Sequence, residues 1–198
     1  MKNKVILAFV LAGAMSFSSC TKKVDEKTMA EVNQFGTEWT AMGEKANAWS
    51  QELSTMSTQA KDFAAKQNDM MTKMSGMKDE AMKQKMADMV KTANDNVAKC
   101  DQMMTEWNTY KTNWDKETAD YTAWKDKVTK GEVTADDAMK GLADYKTKMS
   151  DAQAKMDSWN TMYAETKSSC EKTMAMADEM SKNMMPANNM SNMNGKKK

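Results

Sequence analysis

Histidine and arginine are both missing from this 198-residue chain, and lysine alone supplies its positive charge. Without His the chain lacks the commonest general base and the commonest metal ligand. Without Arg it lacks the usual bidentate reader of phosphate, and a net charge of +1 offers no basic field for nucleic acid. Proline occurs once, at Pro186, and glycine only seven times, so little interrupts regular structure. Three cysteines are present, but no imidazole stands ready to activate a thiolate, and no glycine-rich phosphate loop is found. These absences exclude the common enzyme classes, and a non-enzymatic protein without cofactors is expected.

The abundant residue is methionine, with 25 copies among many Ala, Lys, Asp and Glu. Few breakers and many good helix formers point to long helices. The one apolar run, Val5 to Met15, follows Lys2 and Lys4 and ends in "MSFSSC" at Cys20. It is shorter than the ~20 residues a membrane-spanning helix needs and has the length of a secretory signal. Residues 1–20 resemble a bacterial lipoprotein precursor, with Phe17 standing where the usual box has Leu.

That resemblance implies cleavage of a signal peptide, residues 1–19, and lipidation of Cys20 at the head of a short linker, 20–27. Thr21, Lys22 and Lys23 carry neither the Asp associated with inner-membrane retention nor the acidic run associated with surface export. By the same resemblance the expected location is the bacterial cell envelope, anchored by lipid in the outer membrane and facing the periplasm. Nothing about activity follows from it.

From residue 24 onward, apolar residues step in threes and fours three times over. The first stripe runs through Val32, Phe35, Trp39, Met42, Ala46, Trp49, Leu53, Met56, Ala60, Phe63, Met70, Met74 and Met77. The second runs through Met82, Met86, Met89, Ala93, Cys100, Met103, Trp107, Tyr110, Trp114, Tyr121, Trp124 and Val128. The third runs through Ala138, Leu142, Tyr145, Met149, Ala152, Met156, Trp159, Tyr163, Cys170, Ala177, Met180 and Met184. Gln67, Asn96, Glu117, Thr166 and Thr173 interrupt them, and the positions between are mostly polar or charged. Such a seam is the signature of coiled-coil helices. Ser75 and Gly76 mark one break. Gly131 as a C-cap, with Thr134 and Asp137 as a capping box, marks the other.

The expected helices are about 28–74, 77–130 and 135–185, followed by a disordered Asn/Met/Lys tail, 186–198. Short connections force neighbouring helices to run antiparallel. The predicted fold is therefore all-α: an elongated up-down-up three-helix coiled-coil-like bundle over 28–185. Folding each hairpin about its break puts Trp107 beside Trp159, Tyr121 beside Tyr145, Trp39 beside Trp114 and Leu53 beside Cys100. One end then collects the aromatics and the anchor, and the other collects methionines about 70 Å away at 1.5 Å per residue.

Candidate sites follow from this polarity. Cys100 and Cys170 lie about one turn apart on facing helices, where a disulfide would staple the last two helices in an oxidising compartment. Met70, Met71, Met74 and Met77 form a thioether group suited to Cu(I) or Ag(I). Met82, Met86, Met180, Met184 and Met185 offer an adaptable apolar surface for an envelope protein partner. Acid pairs such as Asp79–Glu80 and Asp136–Asp137 serve the helix dipole. The expectation is a monomeric, lipid-anchored periplasmic rod with a structural or protein-interaction role and no nucleic-acid partner. The alternative is a Met-rich binder of soft metal ions.

Overall fold

A computed structural model describes residues 24–74, 76 and 78–184. Three helices account for nearly all of them: α1 (Glu26–Lys73), α2 (Glu80–Lys130) and α3 (Ala135–Met184), with no strand among the described residues. All three pack against one another as an antiparallel up-down-up bundle, each helix about 75 Å long at 1.5 Å per residue. No described helix is long and apolar enough to cross a membrane.

Each helix begins where a side chain can take up an orphan amide. Asp25 accepts from the Thr28 amide at 2.7 Å, so α1 starts two residues before the expected boundary. Asp79 accepts from the Met82 amide at 3.0 Å, and α2 therefore starts at Glu80 rather than at 77. Thr134 and Asp137 form a capping box, with the Asp137 amide 3.1 Å from Thr134 Oγ1 and that hydroxyl 2.7 Å from Asp137 Oδ2. Gly131 ends α2 in the left-handed region, φ 69°, with its amide on the Lys127 and Val128 carbonyls. Only a residue without Cβ adopts that conformation at little cost.

The seams close into three consecutive core clusters. Val32, Phe35, Trp39, Tyr121, Val128, Ala138 and Leu142 fill one end. The middle holds Ala46, Trp49, Leu53, Cys100, Met103, Trp107, Ala152, Met156 and Trp159 among others. Met86, Met89, Ala177 and Met180 fill the far end. The aromatic register follows the seams: Trp39 stacks on Trp114 at 4.2 Å between ring centroids and 11° between planes. Trp107 meets Trp159 edge-on at 5.9 Å, and Tyr121 meets Tyr145 edge-on at 5.1 Å. Leu53 and Cys100 share the central cluster.

The buried residues do not follow the stripes throughout: Tyr110, Trp114, Trp124, Tyr145, Met149 and Tyr163 are half-buried, and Gly36 and Ser57 are buried beside the first stripe. Ala64 is buried where the stripe runs through Phe63, which is half-buried against the far cluster. Of the polar interruptions, Gln67, Asn96, Thr166 and Thr173 are all buried. The two threonines donate back to the Met162 and Ser169 carbonyls at 2.8 and 2.7 Å, which lets them sit on an apolar seam.

Candidate functional site

The up-down-up path brings together the last turns of α1, the first turns of α2 and the last turns of α3. Their side chains make the methionine-rich end. Met86, Met89, Ala177 and Met180 form its buried floor, and Phe63, Met70, Met74, Met82 and Val90 pack around them. Two hollows open on this end. The smaller, about 300 Å³, is lined by Met71, Met74, Met86 and the Lys83 side chain. The larger, about 360 Å³, lies between α2 and α3 and is lined by Met82, Met89, Met176 and Met180, with Asp88, Glu179, Lys85 and Thr92 beside them.

The structure redistributes the residues singled out in the sequence. Of the thioether group, Met71 and Met74 share the smaller hollow, Met70 packs into the far core cluster, and Met77 lies outside the described residues. Of the partner surface, Met86 and Met180 are core residues, 1 % and 8 % exposed. Both belong to the far core cluster, Met86 also lining the smaller hollow and Met180 the larger. Met82 is half-buried, the Met184 side chain and Met185 lie outside the described residues, and so does Cys20. Met89 and Met176 belong to neither group, yet both line the larger hollow. Spacing carried a signal for them: Met82 and Met89 stand two turns apart on one face, and Met176 and Met180 one turn apart.

Cys100 and Cys170 are free thiols in this structure, both buried in the central cluster, and the expected staple is not formed. Burial, with a smaller contribution from Cys170 itself, pushes the Cys100 thiol up to about 11. Burial also raises Cys170. Both are therefore protonated and weakly nucleophilic at neutral pH. A cavity of about 430 Å³ lined by Glu52, Met56, Tyr163 and Cys170 reaches the second thiol from the side.

Polar groups elsewhere serve the packing. Glu106 accepts from Trp159 Nε1 at 3.0 Å, Gln102 Nε2 at 3.0 Å and Lys155 Nζ at 3.3 Å. The indole hydrogen bond first, then the amide and the ammonium, hold its carboxyl below the usual range. Trp39 Nε1 donates to Thr118 at 3.0 Å, and the Tyr121 hydroxyl donates to the Val32 carbonyl at 3.2 Å. These contacts satisfy buried indole and phenol groups on the seam. No three His, Cys, Asp or Glu side chains among the described residues are grouped to hold a metal ion.

Compared with known proteins, the chain matches no family model, no curated protein and no solved structure.

Proposed function

We propose that this chain is a lipid-anchored, non-enzymatic helical rod with a structural or protein-interaction role in the bacterial cell envelope. The observation that carries the reading is the order of features along the chain: a signal-like apolar run ending in Cys20, a few linker residues, then three helices of 48, 51 and 50 residues. Support comes from the way the interior is filled. Apolar side chains occupy most of the seam, broken only by a few buried polar residues, as in a spacing element. Charged residues lie on the outside, where Lys61–Asp101, Lys146–Glu31 and Lys148–Glu117 tie neighbouring helices.

An anchor at residue 20, six residues before α1 begins, sets the aromatic end nearest the membrane and the methionine-rich end farthest from it. The fit is to a spacer that presents its far end to an envelope partner. Fractionation of expressing cells tests the reading. Radiolabelled palmitate is expected in the protein, together with pelleting in the membrane fraction, and Cys20→Ser removes both. A wild-type chain that is unlabelled and stays in the soluble fraction contradicts it.

A further inference from the structure

We propose that the hollow between α2 and α3 at the methionine-rich end binds a soft monovalent cation of the Cu(I)/Ag(I) class. The metal reading thereby moves off the end of α1. Four thioethers line this hollow, Met82 and Met89 from α2 and Met176 and Met180 from α3. Thioether sulfur is a soft, neutral donor that selects Cu(I) and Ag(I) over harder ions. The two donors on each helix, spaced seven and four residues apart, share a face of their own helix, and all four line the same hollow between the antiparallel pair. Met89 and Met180 form the buried floor at 2 % and 8 % exposure, while Met176 is 48 % exposed and Met82 half-buried.

Packing alone leaves Met176 unexplained. It is one of three large apolar side chains exposed among the described residues, and it sits over a hollow that already holds three other methionines. A side chain with three rotatable bonds can swing its sulfur inward without disturbing the helices. Charge separates this hollow from its neighbour. Asp88 and Glu179 outnumber Lys85 here, giving a local excess of negative charge. The smaller hollow has only three methionines, and the Lys83 in its wall is paired with Glu80 at 2.8 Å, so no excess of negative charge collects there. The inference is independent of the anchor, because it concerns only the helical end.

The test uses the full chain with Cys20→Ser, Cys100→Ala and Cys170→Ala, so that no thiol competes. Cu(I), held reduced and buffered by a chromophoric chelator, is expected to bind at one ion per chain. Met82→Leu with Met176→Leu is expected to weaken binding by more than about tenfold, the loss that even outer-shell changes cause at metal sites. Met139→Leu, an exposed methionine far from this end, leaves affinity unchanged. Should the double variant fold poorly, labelled methionine methyl groups in the unsubstituted sites report instead. Ag(I) then shifts the signals of Met82, Met89, Met176 and Met180 and leaves that of Met139 in place. Absence of binding, affinity untouched by the double substitution, or shifts confined to Met71 and Met74 overturns the proposal.

Discussion

Individual residues in this bundle are constrained by the aromatic side chains that run along its seams. Trp124 lies over Gly141 so closely that a Cβ there would stand 2.7 Å from the indole Cε2. Gly36 is crowded in the same way by the Tyr121 hydroxyl and the Lys125 ammonium, each 2.9 Å from where its Cβ would be. Gly141→Ala gains about 1 kcal/mol of helix propensity and loses about 1–3 kcal/mol to overpacking. A net loss of about 1 kcal/mol is expected from the denaturant midpoint. Gly43→Ala, whose Cβ would lie 3.3 Å from Trp114 Nε1, should fall closer to neutral.

Glu106 gives a pH signature at the same scale. Its carboxyl is held below the usual range by the Trp159 indole, then by Gln102 and Lys155. A depressed folded-state value stabilises above the unfolded value of about 4.3 and loses that contribution as the pH falls through the folded value. The stability gap between wild type and Glu106→Gln is therefore full at neutral pH and closes in acid. Urea titrations at a series of pH values measure it. A gap that persists unchanged into acid would show that the ionised carboxylate contributes nothing.

At the scale of the helices, caps decide boundaries and stripes decide faces. Thr134→Ala removes both capping-box bonds at the start of α3 and is expected to cost about 1 kcal/mol, read from thermal unfolding. The seams, the hairpin register and this cap were legible because each depends on residues close in sequence or on a period repeated many times. The start of α2 was not. Ser75 and Gly76 look like a stop and restart, but the restart waits for Asp79, whose carboxylate reaches the Met82 amide. The Phe63–Ala64 exchange was also hidden, because a stripe two residues wide leaves its inner edge to the neighbouring helices.

The candidate site was legible in kind and not in membership. Topology alone collects methionines at one end, but the facing helices decide which of them pack inward. Met86 and Met180 belong to the far core cluster and reach the hollows only as buried lining, whereas Met176 stands exposed at the mouth of the larger one. Cys100 and Cys170 lie in one cluster, as their spacing suggested, and are nonetheless free.

The whole molecule is a polar rod: aromatic, hydrogen-bonded packing at one end grades into methionine at the other. All four tyrosines are raised by burial, Tyr110 to about 12. A raised value contributes stability that is whole below the ordinary tyrosine pKa of about 10 and is lost as the pH rises through the folded values. Unfolding in alkali should thus coincide with phenolate absorbance rather than precede it.

What defines the rod is that one chain folds back twice and satisfies its own seams. Zero-length carbodiimide cross-linking of a mixture of light and heavy isotope-labelled chains measures this directly. Lys61–Asp101 joins α1 to α2, Lys146–Glu31 joins α1 to α3, and Lys155–Glu106 joins α2 to α3. All three links are expected within single chains, light to light and heavy to heavy. Links between light and heavy peptides at these pairs, or a register in which they never form, would contradict a self-contained antiparallel bundle.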